Sequence, residues 1–570
     1  MPVPVDLTIP YVEQAEIRVD GRGDEPAWAG AALVPGPFVQ FHPTPDTAPT
    51  GPTEVRVLAD ARALYVSARL TDPEPDKVRG AIGRRDTRWS DDFFAMYLDP
   101  TGESQRAYLF LVNAAGVLHD GTVTSAAGES ESWDGVWSAS ARRTDQGWEA
   151  ELAIPWRSIP HPRDIHQVGL LVFRHIARLG EKSSWPALNP DVQGLLLQEA
   201  IVTGPGIVPK DPGLDLLPEV TFGWTDRGPV KPLIGAYGVS PGLTVRYRPS
   251  PSAALLGTFN PDFSQVESDA AQIGVNRRDA LYFEEKRPFF LDGQEWFDHP
   301  LGELVYTRTV QAPYGGLRTT LEPPGGTVAS LVAVDSAPGP SIAEQGGWTE
   351  DELRGHDASV AIVRARGDLG EDGQVGLLLS DRSILGTPLA NRLAAVDTRI
   401  RLSDTTTATA SAAGSYTTFG DGTVGIAPAG SARIEYSDAH PYFGTWANAV
   451  GPSFRAENGY FPQTDRIGGG SWAGVNLNPD SEVVPQISIT PLSVWYAWQF
   501  DGELRNLGAE LNSDLSFGNG THAAFGGYSG VERFAGELLP SRGGWVYYGG
   551  TLVRWLEVEL NLSGGLSPWY

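Results

Sequence analysis

The sequence predicts an all-β protein built in two parts. Three observations predict it. The 570 residues include 67 glycines and 45 prolines, a load that suits many turns and short strands better than long helices. Short apolar runs recur at regular spacing through residues 1–203. Beyond a Pro/Gly-rich break, the strands become longer and alternate more strictly.

In the first part, Glu54–Ala59 and Ala63–Leu70 read as a strand pair across Asp60-Ala61-Arg62. Phe93–Leu98 and Tyr108–Asn113 read as another, joined through a turn at 100–104. Trp148–Ile154 alternates apolar and acidic residues and stops at Pro155. Val168–Arg174 is apolar on both faces, which marks a central strand. Regular short strands of this kind predict a β-sandwich over residues 1–203. Residues 204–213 contain three prolines and three glycines, so a linker is expected there rather than a helix or a central strand.

Residues 214–570 carry the stricter alternation. Leu507, Ala509, Leu511 and Leu515 share one face and Asn506, Glu510, Asn512 and Asp514 the other. Leu556, Val558, Leu560 and Leu562 oppose Glu557, Glu559, Asn561 and Ser563. Period two alone allows two readings: an apolar face packed on a second sheet in water, or an apolar face in lipid around a polar lumen. Strand length and the 17 tryptophans and 18 tyrosines favour lipid, because such rings collect at membrane interfaces.

Composition excludes several functions. A net charge of −27 argues against a nucleic-acid partner, since a polyanion rewards clustered Lys and Arg. The absence of cysteine excludes disulfides, thiolate metal sites and cysteine nucleophiles. Met1–Asp6 has neither a basic stretch nor an apolar one, so no signal peptide is visible. No run approaches ~18 uncharged apolar residues, which leaves a strand-built barrel as the only route across a membrane.

Spread over the first part are Ile17–Trp28 (with Asp20-Gly21-Arg22-Gly23-Asp24-Glu25-Pro26-Ala27-Trp28), Thr53–Leu58, Arg84–Phe93, Val112–Val117, Trp133–Trp137 and Gly147–Trp156. In this order and spacing they resemble a family-nine carbohydrate-binding module. Phe259–Asp269, then Leu281–Gly293 with its Glu285-Lys286-Arg287-Pro288-Phe289-Phe290-Leu291 run, and later Gly459–Arg466, resemble the poorly characterised barrel-type domains that follow such modules in bacterial outer-membrane proteins. The resemblance implies an N-terminal β-sandwich followed by an antiparallel outer-membrane-type β-barrel, either whole or as a fragment of a longer protein. It also implies a carbohydrate ligand, contact with outer-membrane lipid and, in some modules, bound calcium.

Sugar binding needs flat apolar faces for pyranose rings and polar groups for hydroxyls. Trp89, Trp133 and Trp185 sit in polar, turn-like contexts and are the ligand candidates; Trp28, Trp137 and Trp148 sit in strand contexts that suit a core. Arg84, Arg85 and Asn113 can donate to hydroxyls, or else pair with Asp86 and Asp91. Asp91 and Asp92, with Asp99 and Asp120 nearby, offer the oxygen ligands calcium prefers, although solvated or capping aspartates look the same in sequence. Glu284 and Glu285, with Asp292 and Glu295, form the densest acidic cluster of the second part. Neighbours on a strand point to opposite faces, so ion pairing with Lys286 and Arg287 is expected there rather than a hydrolytic pair. The nine histidines show no metal-ligand spacing. The expected function is carbohydrate binding by an outer-membrane-anchored envelope protein with no catalytic residues, with uptake or a pore as a further role. The alternatives are a glycoside hydrolase carrying such a module and a soluble two-domain adhesin.

Overall fold

The computed structural model describes residues 3–568, apart from 87–90, 105, 125–127, 132, 134, 160, 162–164, 190–191, 193, 208–212, 223–238, 251, 262–279, 324, 341–346, 371–372, 439, 478, 480, 482, 485, 518–520 and 554–555. Three sheets organise it. Two of them, of nine and five strands, face each other over the first part, and a third of seventeen strands occupies the remainder.

The nine-stranded sheet runs in the order Val3–Thr8, Ala200–Ile207, Ile165–Ile176, Phe93–Asp99, Arg106–Asn113, Leu118–Thr124 and Gly128–Ser130. Glu181–Trp185 also pairs with Ile165–Ile176, and Val39–His42 pairs with Glu181–Trp185. The five-stranded sheet runs Ser138–Thr144, Gly147–Pro155, Ala63–Thr71, Thr53–Ala59 and Ala32–Leu33. Val57, Val66, Phe94, Met96, Phe110, Trp148 and Leu152 fill the space between them. Ile165–Ile176 is apolar on both faces for a visible reason. Leu170 and Val172 enter the inter-sheet core, whereas Leu171 packs on the opposite face with Phe93, Tyr97 and Leu109.

The break expected at 204–213 begins instead as strand. Gly204–Ile207 complete Ala200–Ile207, with Ile207 opposite Ile165. The register shifts between Ile165 and Gln167, and Gly206 has φ 64°, so a bulge absorbs the glycines. Residues 208–212 lie outside the described residues.

The seventeen-stranded sheet is an up-and-down meander from Leu214–Phe222 to Leu556–Leu566, every strand antiparallel to the next. Among the described residues its first and last strands do not pair with each other. One face is apolar and open. In Ala390–Ser403, Val396 is 50% exposed while Ala395 beside it is 1% exposed. Leu317, Val332, Val363, Leu377, Ile434 and Leu511 are likewise exposed on their strands.

The inner face does the reverse, burying charge. Arg318, Arg364 and Arg382 lie on it and are almost fully buried. Each of them reaches residues 280–311, which run along the inner face with helical turns at Pro288–Leu291, Gln294–Phe297 and Thr307–Thr309, and Arg364 also pairs with Asp397. Arg318 donates to the Phe289 and Phe290 carbonyls. Arg382 donates to the carbonyls of Glu457 (2.6 Å), Thr309 (3.2 Å) and Gly339 (3.0 Å). Phe289, Phe290, Phe297, Leu301 and Leu304 pack there against Leu256, Leu331, Ile362, Leu378, Leu393 and Ala429. Leu256 and Ala429, on strands far apart in the meander, join one buried cluster around this segment, so the sheet curls around it. Within the segment, Arg287 makes a buried pair with Glu285 (2.7 Å) and donates to the carbonyls of Val310 (2.6 Å) and Thr307 (2.9 Å). The Glu-Lys-Arg-Pro-Phe-Phe-Leu run is therefore the anchor of the inner segment.

Sandwich and curled sheet meet at Arg106. Its guanidinium pairs with Glu295 (2.6 Å) and Glu322 (3.2 Å) and lies 4.6 Å from the Trp296 ring centre.

Candidate functional site

The outward face of the nine-stranded sheet carries a row of side chains set by register. His42 lies opposite Lys182, Lys182 opposite His175, His175 opposite Phe93, and Phe93 opposite Asn113. Alternation on each strand makes these five share one face. The neighbouring positions add Phe173 and Tyr97, 5.1 Å apart edge to face, and Phe41 stands 5.7 Å from Phe173. Glu129, on the edge strand, accepts from the Tyr97 hydroxyl at 2.5 Å. Phe41, His42, Phe173 and His175 are half-buried and Lys182 is exposed, so the row is open to solvent at that end.

Its two imidazoles are held neutral. Burial, and then the Lys182 charge, hold His42 down at about 4 and His175 at about 3. Both imidazoles are thus uncharged at neutral pH. His175 Nδ1 is 2.9 Å from the Asp91 carbonyl oxygen, which can only accept. The proton therefore sits on Nδ1 and leaves Nε2 as an acceptor. Together with the Lys182 ammonium, the Glu129 carboxylate and the Phe41 and Phe173 rings, the face offers donors, acceptors and flat apolar surface within one row.

The residues expected from sequence are distributed differently. Trp89 lies outside the described residues. Trp133 is half-buried and packs on Tyr108 (4.8 Å) and Phe110 (5.7 Å), at the mouth of the inter-sheet core. Trp185 is 5% exposed and belongs to that core, because it pairs with inward-facing Val172 rather than with Phe173. Arg84 is exposed. Arg85 donates to Asp120 (2.6 Å) and to the Gly135 carbonyl (2.8 Å), and so ties the loop bearing Trp133 to the sheet. Asn113 is on the row but fully buried. Its Nδ2 donates to Ala81 O and Asp91 Oδ2, and its Oδ1 accepts from the backbone N–H groups of Ala115 and Val117. Trp28, Trp137 and Trp148 are buried. His42, His175 and Lys182 escaped sequence reasoning because only strand pairing brings them together.

Asp91 and Asp92 do not converge on a cation. Asp91 Oδ2 accepts from Ala81 N (3.0 Å) and Asn113 Nδ2 (2.7 Å). Asp92 Oδ1 accepts from Ala177 N at 2.7 Å, and burial pushes its carboxyl up to about 6. The pair does not fit calcium. Among the described residues, the carboxylates that do converge are Asp20, Glu25 and Glu151. Glu151 Oε2 accepts from the N–H groups of Asp20, Gly21 and Arg22, and Oε1 from those of Gly23 and the Trp28 indole. Five donors already compensate that carboxylate. The Asp-Gly-Arg-Gly-Asp-Glu-Pro-Ala-Trp run is thereby explained as a loop wrapped around Glu151. The acidic cluster of the second part is tied up too, with Glu285 held by Arg287 and Glu295 by Arg106.

Residues 19–177 match the family model described as carbohydrate family 9 binding domain-like. Residues 234–322 match a model described as a domain of unknown function. Among the curated proteins no relative matches the chain. A carbohydrate binding module of family 9 from Caldicellulosiruptor kristjanssonii, solved in complex with glucose, is 15% identical; the alignment covers 35% of this chain and 96% of that one, at a TM-score of 0.26. OccAB1 of Acinetobacter baumannii is 10% identical over 83% of this chain and 95% of that one, with a TM-score of 0.30. OpdK of Pseudomonas aeruginosa, solved with vanillate, is 11% identical over 83% and 98%, with a TM-score of 0.25.

Proposed function

We propose that this protein is anchored in the bacterial outer membrane by its seventeen-stranded sheet and binds carbohydrate, or a similar polyhydroxylated ligand, on its N-terminal sandwich. The observation that carries the membrane half is the inversion of the large sheet. Leucine, valine and isoleucine face outward unburied, while arginines are buried on the inner face. An apolar face of that extent is unfavourable in water and favourable in lipid. The carbohydrate half is supported by the family match of residues 19–177 and by the row of Phe41, Phe173, His42, His175 and Lys182. A pyranose ring laid on Phe41 or on Phe173, whose planes stand 81° apart, would meet neutral imidazoles and one ammonium at its hydroxyls. Uptake through the curled sheet belongs to the same reading.

Calorimetric titration of the detergent-solubilised chain with glucose and short glucans tests the site. Phe173→Ala lowers affinity about tenfold, or about 1.4 kcal/mol. Binding holds steady at neutral pH and falls as pH drops toward 4, where His42 gains a proton beside Lys182. Unchanged affinity in both Phe173→Ala and Lys182→Ala would place the ligand elsewhere.

A further inference from the structure

The inner face of the large sheet is divided. The strands from Ala253–Phe259 to Val424–Ser437 are packed by residues 280–311, as is the end of Pro441–Val450. Further along, the inner face carries Tyr442, Trp446, Trp472, Trp495, Tyr528 and Trp545, all half-buried and none part of a buried apolar cluster among the described residues.

Each of the six lies directly opposite a glycine on the adjacent strand. Tyr442 faces Gly474, Trp446 faces Gly470 and Trp472 faces Gly444. Trp495 faces Gly508, Tyr528 faces Gly543 and Trp545 faces Gly526. The rings lie on those glycines. A Cβ on Gly444 would come within 2.1–2.6 Å of three Trp472 ring atoms, and one on Gly508 within 2.4 Å of Trp495. A ring laid down on a glycine is held against the wall and leaves the lumen clear. An aromatic ring laid on a cross-strand glycine covers it and steadies the strand pair, and its free face adds a stacking surface.

Polar groups stand between the rings. The Arg433 guanidinium lies over the Trp472 ring, 4.9 Å from its centre, and pairs with Glu435 at 2.6 Å, and Arg466 lies over the Trp446 ring at 5.6 Å, so a ligand stacking on these two rings takes the place of an arginine. Glu510 accepts from the Trp545 indole at 3.4 Å, and the Tyr442 hydroxyl is 2.7 Å from Thr490 Oγ1. A cavity of about 270 Å³ lies between the inner segment at Asp298 and His299 and the wall at Asp397, Arg433 and Glu435. A second, of about 390 Å³, is lined by Tyr442, Trp472 and Glu435 and also by Gly194 of the sandwich. The lane therefore begins at a cavity shared with the sandwich.

We propose that this aromatic lane is a second binding site, for a linear chain of neutral sugars, along which consecutive pyranose rings stack on consecutive side chains. The inference rests on the carbohydrate reading of the sandwich for its ligand class, and on the ring–glycine register for its place. Stacking supplies non-directional attraction, and Arg433, Glu435 and Glu510 supply hydrogen-bonding partners for hydroxyls on either side.

The test is calorimetric titration of the detergent-solubilised full chain with cellohexaose and maltohexaose. Two binding steps are expected. The Trp472→Ala/Trp495→Ala double variant weakens one step at least tenfold and leaves the other, which Phe173→Ala weakens about tenfold. Trp498→Ala, on the outward face of the same strand as Trp495, changes neither. Trp472→Phe/Trp495→Phe keeps a ring at both positions and restores most of the lost affinity, which separates a lost stacking surface from a disturbed wall. A single step for both probes, weakened by Phe173→Ala and untouched by the double variant, overturns the lane and leaves the sandwich site standing. A step that persists in Phe173→Ala and is lost in the double variant establishes the lane even where the sandwich binds no sugar.

Discussion

Glu151 shows how one side chain fixes a whole loop. It collects four backbone N–H groups and one indole N–H with both oxygens buried. Glu151→Ala removes the acceptor and leaves those donors unpaired, a loss of about 3 kcal/mol that lowers the melting temperature of the sandwich followed by near-ultraviolet dichroism. A second buried carboxyl sets a pH dependence. Burial, with the Asp99 charge beside it, pushes Glu199 up to about 9 from its ordinary 4.5. Its folded-state pKa is the higher one. The stabilisation is therefore fully present below about 4.5 and is lost as pH rises through about 9. Unfolding of the native chain at pH 6 and at pH 9 should differ, and Glu199→Gln should flatten that difference. Gly169 is required at this place, because a Cβ there would sit 2.2 Å from the Glu199 carboxyl carbon.

Among the elements, period-two strands were the most readable in the sequence. Glu54–Ala59 and Ala63–Leu70 form strands at nearly those bounds, and Val168–Arg174 lies inside a central strand. Faces were less readable than strands. Trp185 and Ser184 are neighbours, and the pairing of Trp185 with Val172 sends the indole into the core while the outward face begins one residue earlier. No local pattern distinguishes the two. The row of His42, Lys182 and His175 was hidden for the same reason, since its members come from three strands. The inner segment was legible as a distinctive run but not as an insert, because its partners are arginines on distant strands. Arg318→Ala leaves the Phe289 and Phe290 carbonyls without this donor and loosens residues 280–311 by about 3 kcal/mol. Hydrogen exchange should rise at 288–311 and stay unchanged at 165–176.

For the whole molecule, the central question is whether the large sheet meets water or lipid. The alternation in the sequence left both open, and the exposed outward face with buried inner arginines favours lipid. On the membrane reading, the edges of Leu214–Phe222 and Leu556–Leu566, which do not pair with each other among the described residues, carry backbone groups that must be paired or covered, at a cost of several kcal/mol for each one left bare. The anchored state therefore has those edges engaged. Fractionation of the natively expressed gene product, with electrophoresis of unheated and boiled samples, tests this most directly. Recovery in the outer membrane, extraction only by detergent and a heat-dependent change in migration are the predicted results. Recovery in the soluble fraction without detergent, with identical migration before and after boiling, would contradict the membrane reading.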